Sequence, residues 1–580
     1  MQFPQDWILD ALKNSLYQKF GQIPFTPIVE PCTNPAFGDF QTNIAFILAQ
    51  SLKANPKNLA EELAKAIGES PFFYPPEVGG SGFLNFKLKP KAYLDTFLAI
   101  RSDPRLGIEQ TKQPQTIVID FSSPNIAKEL HVGHLRSTIL GDVLRKLNLF
   151  LGHRVIADNH LGDWGTQFGM VILGYKKYGR PQLLTQRPLE YLEELYIKIQ
   201  KESDDSAQIR EEAKKELQKL QSGDPENRTL WERFVQASLG ELDKIYQRLN
   251  VKFDFSLGES FYHPMLEGIV EQLLQKGIAR YSEGAVCVFF GKSFPELEDN
   301  PLLIRKSDGA FLYATTDIAT LFFRLQNWGA HRIIYVTDSR QKLHFNQLFA
   351  LAQILALPVR LEHVHFGSIL GEDKKPLKTR EGTPVKLREL LDEAENRAYQ
   401  LIDAKRKDLS PEKKQHIAKA VGIGALKYAD LSQNRTLDYV FKWEKLLSFD
   451  GNTAPYLINA HVRIRSIMKK ASLHGYNSTL GFTSLKFETE ALHPQEIELL
   501  KTLLSFKYAL CLASEENSPH HLCSFLYALA KVFHKFYELC PVLGAPTEPI
   551  RQRRMAFCEC TAQTLSLGLN LLGIEPLDEM

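Results

Sequence analysis

The sequence predicts a multidomain α/β protein with a central parallel sheet, a small α+β domain before it and an all-α bundle after it. Three observations predict this arrangement. The chain has 580 residues, which is too long for one domain and corresponds to about four. Apolar strand-like runs alternate with helical patterns in the middle of the chain, as in parallel sheets covered by helices. From Ser410 onward the apolar spacing is almost entirely helical.

The first unit, residues 1–105, is predicted to be a small α+β domain. Apolar residues recur at helical spacing between Trp7 and Phe20. A second helical region covers 44–67 and is interrupted at Asn55-Pro56, because proline disfavours helix at the residue before it. Residues 83–88 alternate as a strand.

The second unit, residues 106–410, begins after a linker that contains Pro104 and Pro114. Its predicted strands are 116–121, 154–158, 286–290, 332–337 and 362–366. Between about 170 and 300 we expect an insertion, which is helical and charge-rich over 190–222. The alternation predicts a Rossmann-like nucleotide-binding domain, in which ligands bind at the carboxyl ends of the strands.

The third unit, residues 411–580, is predicted to be an α-helical bundle. Its expected helices are 411–433, 441–449, 453–472, 493–515, 519–539 and 548–572.

Composition limits the classes of protein that fit. The seven cysteines form no C-x-x-C pair, so the sequence indicates neither a disulfide framework nor a zinc ribbon. No signal peptide and no apolar stretch of about 18 residues is recognised, so we expect a cytoplasmic protein without a membrane partner. The net charge is only +2, so a nucleic-acid partner would need local basic patches. One such patch is residues 401–480, with fourteen Lys/Arg against seven Asp/Glu.

The most informative segment is His131-Val132-Gly133-His134, which follows the strand at 116–121. Two histidines three residues apart share one face of a helix. At a helix N-terminus they lie among free N–H groups, where phosphate binds well. Gly133 lacks a side chain, so a flat ring could lie against the backbone. The alternative is that both histidines are structural or solvent-facing, or that they form half of a metal site.

Longer motifs extend this pattern. Asp120-Phe121-Ser122-Ser123-Pro124-Asn125, the His motif up to Arg136, and the block 161–169 together resemble the arginyl-tRNA synthetases, which are class I aminoacyl-tRNA synthetases. The resemblance covers nearly the whole chain. It implies that arginine is activated with ATP and then transferred to the 3′-terminal adenosine of tRNA(Arg). It also implies that the N-terminal domain contacts tRNA and that the helical bundle binds the anticodon.

The resemblance places a second catalytic element at Lys375-Pro376-Leu377-Lys378-Thr379, where the family pattern is Lys-Met-Ser-Lys-Ser. Two ammonium groups on a loop could close over a triphosphate and stabilise its charge in the transition state. The predicted catalytic residues are therefore His131, His134, Lys375 and Lys378. ATP-binding residues are predicted to be these four with Gly133 and His344. The alternative is a solvated basic loop.

Arginine would be recognised by carboxylates that pair with its planar guanidinium. Asp120 ends the first central strand, and Tyr313 precedes Asp317 by one helical turn. By resemblance, these three residues form the side-chain pocket. Also by resemblance, the amino and carboxylate end of arginine is held by Asn125, His131 and Gln341. The alternative for each carboxylate is a helix cap or a surface ion pair.

The helical bundle supplies candidates for contact with tRNA. Residues 454–465 mix aromatic and cationic side chains, which suits stacking on single-stranded RNA. Tyr456 and Arg463 are the predicted contacts. The alternative is that Tyr456 and Ile464 are core and that the arginines are solvated. The run 551–554 is interpreted either as an RNA contact or as exposed charge.

Mg²⁺ is expected to arrive with ATP, and no structural metal is expected. We expect a monomer. No G-x-x-x-x-G-K-[ST] loop is found, which argues against a P-loop nucleotidase. Two alternatives remain open: a small-molecule nucleotidyltransferase with the same histidine core, and a catalytically silent RNA-binding paralogue.

Overall fold

The computed structural model describes residues 3–21, 25, 27–32, 34–378, 384–476 and 492–580. Along the chain, a small antiparallel sheet with helices is followed by a parallel sheet and then by a helical bundle. This is the predicted multidomain α/β architecture. None of the helices in the described ranges has the length and apolar character that crossing a membrane would require.

The N-terminal unit packs four helices against a four-stranded antiparallel sheet of order β1-β2-β4-β3. Its elements are α1 (Pro4–Phe20), β1 (Glu30–Pro31), β2 (Phe40–Thr42), α2 (Ile44–Leu52), α3 (Pro56–Ile67), β3 (Glu77–Gly79), β4 (Phe83–Phe86) and α4 (Pro90–Ile100). The Asn55 side chain accepts hydrogen bonds from the N–H groups of Lys57 and Asn58, so α3 begins at the predicted break.

The central unit alternates strands and helices. Its elements are β5 (Thr116–Asp120), α5 (Val132–Phe150), β6 (Arg154–Asp158), α6 (Gln167–Tyr178), α7 (Pro181–Gln186), α8 (Pro188–Asp205), α9 (Ala207–Gln221), α10 (Pro225–Arg248), α11 (Glu259–Tyr262), α12 (Leu266–Gln275), β7 (Ala279–Ser282), β8 (Ala285–Val288), β9 (Leu302–Arg305), α13 (Tyr313–Trp328), β10 (Arg332–Tyr335), α14 (Lys342–Ile354), β11 (Arg360–His363), β12 (Ile369–Leu370) and α15 (Leu387–Lys405).

The core of this unit is a parallel sheet of order β11-β10-β5-β6. All residues of β5 are buried, as expected for a central strand covered on both faces. In the register, Asp120 lies opposite Asp158 on one side and Tyr335 on the other, and Tyr335 lies opposite His363. The four strands therefore end at one level.

The expectation for residues 286–290 was wrong in one respect. The segment is a strand, but β8 belongs to a separate antiparallel sheet of order β7-β8-β9. Glu283 and Gly284 both have positive φ (50° and 79°) and turn the chain directly from β7 into β8. A two-residue turn of this kind forces antiparallel pairing. An apolar run alone does not show which strand lies beside it.

The C-terminal unit is the predicted helical bundle. Its elements are α16 (Pro411–Leu431), β13 (Tyr439–Val440), α17 (Trp443–Leu446), α18 (Ala454–Leu473), α19 (Pro494–Leu504), α20 (Phe506–Glu515), α21 (His520–Leu539) and α22 (Glu548–Leu571).

Two of the predicted helices in the bundle needed correction. The helix expected at 441–449 is only α17, because the preceding β13 pairs in parallel with β12. The helix expected at 493–515 is divided into α19 and α20 at Ser505. There the Ser505 hydroxyl and its N–H both donate to the carbonyl of Thr502, which tightens the last turn of α19.

Candidate active site

The carboxyl ends of the parallel strands carry several of the predicted site residues, including both histidines of the His motif. The His motif follows β5, Gln341 and His344 follow β10, and the block 161–169 follows β6. The lysine loop, which we define as residues 371–378, begins after β12. Ligands of open parallel sheets bind at this edge.

His131 is the N-terminal cap of α5. Its Nδ1 accepts a hydrogen bond from the Gly133 N–H at 3.1 Å, and its own N–H donates to His134 Nδ1 at 3.1 Å. The two ring centroids are 4.0 Å apart. Because both Nδ1 atoms accept, each neutral ring carries its proton on Nε2. Both imidazoles can therefore offer an Nε2–H donor to a bound anion.

Gly133 is required by this cap. A Cβ atom at Gly133 would lie 2.9 Å from Cε1 and 3.0 Å from Nδ1 of His131. The flat ring that lies against Gly133 is thus the imidazole of His131. A nucleotide contact of Gly133 stays a prediction.

Burial keeps both histidines neutral. Burial first, and then the charge of His131, lower the pKa of His134 to about 3, against a small opposing effect of its backbone hydrogen bond with His131. The pKa of His131 is lowered by burial and then by the Arg340 guanidinium. At neutral pH the pair therefore donates hydrogen bonds without carrying positive charge.

A strained loop leads from β5 to the His motif. Ser122, Ser123 and Ala127 have φ values of 71°, 46° and 66°, in the left-handed region that few side chains adopt. The N–H of Ser122 donates to Ser137 Oγ at 2.9 Å. The loop also pairs with the block after β6, since the Ile126 N–H donates to the Gly162 carbonyl. This holds the exposed side chain of Asn125 beside Gly162.

Asp120 lies in a buried ion-pair network. The Arg324 guanidinium is fully buried, and its Nη2 lies 2.6 Å from Asp120 Oδ2 and 2.7 Å from Asp158 Oδ2. The other oxygen of Asp120 accepts a hydrogen bond from the Ser123 hydroxyl at 2.9 Å. Both oxygens of Asp120 already have partners within the chain. Its predicted contact with arginine remains a prediction.

Tyr313 and Asp317 lie one turn apart at the start of α13, as predicted. The Tyr313 side chain is exposed. Asp317 Oδ2 lies 2.5 Å from His344 Nε2 on α14. Burial would lower the pKa of His344, but its hydrogen bond and ion pair with Asp317 outweigh burial, and the pKa is raised. The structure thus brings together an acid predicted for the arginine pocket and a histidine predicted for ATP.

The structure adds Glu259, which sequence reasoning missed. Glu259 opens α11, where the chain runs beside the block after β6 through a Leu161–Gly258 bridge. It interacts electrostatically with Asp317, and its charge also raises the pKa of Tyr313. Burial, opposed by His160, is the largest cause that raises the pKa of Glu259 to about 7. No motif marks this residue, because its place depends on a long-range bridge.

Gln341 ends a short 3₁₀ turn, Ser339–Gln341, which the Asp338 side chain caps, and its side chain is exposed. The same turn carries Arg340, whose charge acts on His131. The site therefore also contains a cation that the sequence analysis did not single out.

The lysine loop is a compact turn on β12. The Gly371 N–H donates to the Lys375 carbonyl at 2.8 Å, and the Leu377 N–H donates to the Ile369 carbonyl at 3.0 Å. The side chains of Lys375 and Lys378 are exposed. Thr379, the hydroxyl residue of the predicted motif, lies outside the described residues.

Tyr456 and Arg463 both lie on α18. Tyr456 is half-buried, and its hydroxyl lies 2.8 Å from His534 Nδ1. Arg463 is exposed over the ring of Tyr537, 4.9 Å from its centroid. Ile464 is buried, so the reading of this helix as partly core and partly solvated holds for these residues.

Two residues of the run 551–554 differ from both of its interpretations. Arg553 and Arg554 are buried and pair with Glu496 at 2.8 and 2.9 Å, so they join α22 to α19. They are neither RNA contacts nor exposed charges. In the parts of the chain that the structure describes, no three His, Cys, Asp or Glu side chains cluster as metal ligands would.

Comparison with known families gives three matches along the chain. Residues 5–88 match the arginyl tRNA synthetase N-terminal domain, residues 98–443 the catalytic domain of the class I tRNA synthetases (R), and residues 457–580 the DALR anticodon binding domain. The middle match alone covers more than half of the chain.

Similar proteins agree with these matches. An arginine–tRNA ligase of Trichodesmium erythraeum is 43% identical over 99% of this chain and 100% of its own length. One from Synechocystis is 43% identical over 99% of this chain and 100% of its own length. The arginyl-tRNA synthetase of Plasmodium falciparum superposes with a TM-score of 0.84 at 29% identity, with both chains covered completely. That of Thermus thermophilus gives 0.83 at 26% identity over 99% of each chain.

Proposed function

This chain belongs to the arginyl-tRNA synthetase family, and we propose that it performs both steps of its reaction at the carboxyl edge of the parallel sheet. The chain is an arginine–tRNA ligase: it activates L-arginine with ATP to arginyl-adenylate and transfers arginine to the 3′-terminal adenosine of tRNA(Arg). The observation that carries this function is the identity of 43% to an arginine–tRNA ligase over essentially the full length of both chains. The alternative of a small-molecule nucleotidyltransferase is therefore set aside.

For the first step we assign the triphosphate of ATP to the N-terminus of α5. There the Nε2–H groups of His131 and His134 can donate to phosphate oxygens. The arginine carboxylate attacks the α-phosphorus, a new C–O–P bond forms, and the bond to the bridging oxygen of pyrophosphate breaks. A carboxylate is already a nucleophile at neutral pH, so no general base is needed. Positioning and charge stabilisation account for the catalysis.

Lys375 and Lys378 supply the positive charge that the neutral histidines lack. Their exposure on the lysine loop leaves both ammonium groups available to the β- and γ-phosphates. Mg²⁺ is proposed only as the companion of the triphosphate, where phosphate oxygens and waters would be its main ligands. Gly133 and His344 are the remaining residues that we assign to ATP.

For arginine we assign the guanidinium to the carboxylates of Asp317 and Glu259, beside the Tyr313 ring. A planar fork of donors can pair with two carboxylates at once, whereas the ammonium of lysine cannot satisfy the same oxygens. Asn125, Gln341 and His131 are assigned to the amino and carboxylate end. Asp120 is retained as a pocket residue whose carboxylate Arg324 orients.

We assign tRNA binding mainly to residues 411–580, with Tyr456 and Arg463 as contacts, and secondarily to residues 1–105. Residues 106–410 form the catalytic domain in this scheme. We further propose a monomer in the cytoplasm. By analogy with the family, bound tRNA is expected to promote formation of the adenylate.

The test is ATP–pyrophosphate exchange with each of the twenty amino acids, with and without tRNA. Arginine alone should support exchange, and tRNA should increase the rate. Exchange with lysine or glutamine but none with arginine would contradict the assigned specificity.

A further inference from the structure

Two helices of the catalytic domain begin at one crossing of the chain. His131 is the N-cap of α5 and Lys386 is the N-cap of α15, and both residues have extended backbones. They lie directly opposite each other in an antiparallel bridge. The segment that crosses His131, residues 384–387, follows the lysine loop along the chain; we call it the exit segment.

The crossing satisfies the first N–H group of each helix. The Val132 N–H, the first of α5, donates to the Val385 carbonyl at 2.9 Å. The Leu387 N–H, the first of α15, donates to the Leu130 carbonyl at 2.8 Å. First-turn N–H groups have no partner inside their own helix, so each helix start depends on the other segment. The position of His131 is therefore set partly by the exit segment.

An ion pair lies on one face of this crossing. Residues opposite each other in an antiparallel pair project to the same face, as do residues two apart on one strand. Glu129, His131 and Lys386 therefore share a face. The Lys386 ammonium pairs with Glu129 Oε2, and the Glu129 side chain is only 10% exposed. A carboxylate buried to this extent is costly without its cation.

The pair is part of a larger charged cluster that reaches the insertion. Arg388 Nη2 lies 3.6 Å from Glu129 Oε1 and also pairs with Glu190 on α8. Glu193, also on α8, has a pKa raised by burial and then by the charge of Glu129. Beside the cluster is a cavity of about 310 Å³. It is lined by Glu129 and Leu130, by residues of α7, α8 and α10, and by Arg388. Glu129 therefore lies at the wall of this cavity, and its ion pair with Lys386 adds to the two backbone hydrogen bonds that hold the crossing.

We propose that Glu129 and Lys386 are positioning residues for adenylate formation, because their ion pair fixes the exit segment against the start of α5. The pair would set the place of His131 relative to the phosphates. This inference rests on the proposed function. Neither side chain is assigned to a substrate, and the guanidinium pocket at Asp317 and Glu259 stays intact. Loss of the pair should therefore lower kcat and leave the arginine KM nearly unchanged.

The experiment is a double-mutant cycle with Glu129→Gln and Lys386→Met, measured as arginine-dependent ATP–pyrophosphate exchange with tRNA present. Each single variant should lower kcat about 10-fold, with the arginine KM within about twofold of wild type. The double variant should also be about 10-fold slower, because residues that act through one contact are not additive. The conservative variant Lys386→Arg should retain kcat within about threefold, since the ion pair can re-form.

A matched control is Lys177→Met, which removes a 2.7 Å ion pair to Glu212 within the insertion and should leave kcat unchanged. Thermal unfolding and tRNA affinity of each variant show whether the whole chain is folded. If a Glu129 variant does not fold, the comparison of Lys386→Met with Lys386→Arg still decides. Unchanged kcat, a loss of about 100-fold in the double variant, or a change confined to the arginine KM would overturn the proposal. Absence of exchange in the wild-type protein would instead contradict the proposed function.

Discussion

The Nε2 atom of His344 lies 2.5 Å from Oδ2 of Asp317, and this contact joins the start of α14 to the start of α13. The imidazole thus occupies the carboxylate that we assign to the substrate guanidinium. A protonated His344 and a bound arginine would compete for the same negative charge. Arginine binding should therefore depend on whether His344 is protonated.

The first prediction concerns the arginine KM as a function of pH. Asp317 holds the pKa of His344 above its ordinary value of 6.5. As the pH rises through that raised pKa, His344 loses its charge and Asp317 becomes available, so the KM should fall. In His344→Gln this part of the pH dependence should be absent. Exchange kinetics at several pH values test this, and an identical KM profile in both proteins would contradict it.

The ion pair of His344 with Asp317 also determines how the stability of the fold should depend on pH. A histidine whose pKa is raised in the folded state contributes stability that is complete below its unfolded pKa and lost as the pH rises through the folded pKa. The free energy of unfolding of wild type should therefore exceed that of His344→Gln most clearly below about pH 6.5. The difference should be about 1 kcal/mol, because the pair is partly exposed. Denaturant unfolding at pH 6 and pH 9 measures this difference. A difference in unfolding free energy that grows toward pH 9 would rule out the ion pair as its cause.

The second prediction concerns Glu259, whose pKa burial raises to about 7. Ionisation of this carboxylate costs the fold stability, and the cost develops as the pH rises from the unfolded pKa to the folded one. Glu259→Gln should thus be more stable than wild type at pH 8, by about 1–2 kcal/mol, and equal to it below about pH 4.5. The same variant should raise the arginine KM at least about 10-fold. Gain of stability without loss of arginine affinity would remove Glu259 from the pocket.

The third prediction concerns the paired histidines. His134→Ala should lower the rate of adenylate formation by about 10²–10³-fold, because it removes a donor aimed at the developing charge. Since burial holds the pKa of His134 near 3, the wild-type kcat should not follow a titration of His134 between pH 6 and 8. Single-turnover rates over that range test both statements. An unchanged rate in the alanine variant would contradict the assigned role.

The sequence predicted most of the fold and the signature of the site, and the exceptions have physical reasons. His131, His134 and Asp317 could be proposed as site residues because their spacing and neighbours along the chain are local features. Glu259 was missed because only the packing of α11 on α13, which are distant in the sequence, brings it within electrostatic reach of Asp317. The inward pairing of Asp120 was missed for the same reason, since Arg324 lies 204 residues away. Tertiary packing also buries Arg553 and Arg554 of the basic run 551–554 in a structural contact with Glu496.

The fourth prediction concerns the lysine loop. Lys375→Ala and Lys378→Ala should each lower the rate of pyrophosphate exchange by about 10–10³-fold, with the arginine KM nearly constant, because they act on the phosphates. Lys374→Gln is the matched control: Lys374 is an exposed lysine of the same loop to which we assign no contact. Equal losses in all three variants would indicate that only the net charge of the loop matters.

The fifth prediction concerns tRNA binding by α18. Arg463 is exposed and stacks on Tyr537, whereas Arg465, two residues further along, pairs with Asp578 at 2.8 Å. Among the described residues Arg463 has no acidic partner, and a guanidinium over an aromatic ring suits an RNA contact better than one neutralised by an acid. Arg463→Ala should therefore weaken tRNA binding about 10-fold. It should also lower by about one the number of ions released on binding, which the salt dependence of the affinity reports. Arg465→Ala should have a smaller effect. Filter binding over a range of salt concentrations measures both. A larger loss of tRNA affinity in the Arg465 variant would indicate that RNA contacts the surface around Asp578 instead.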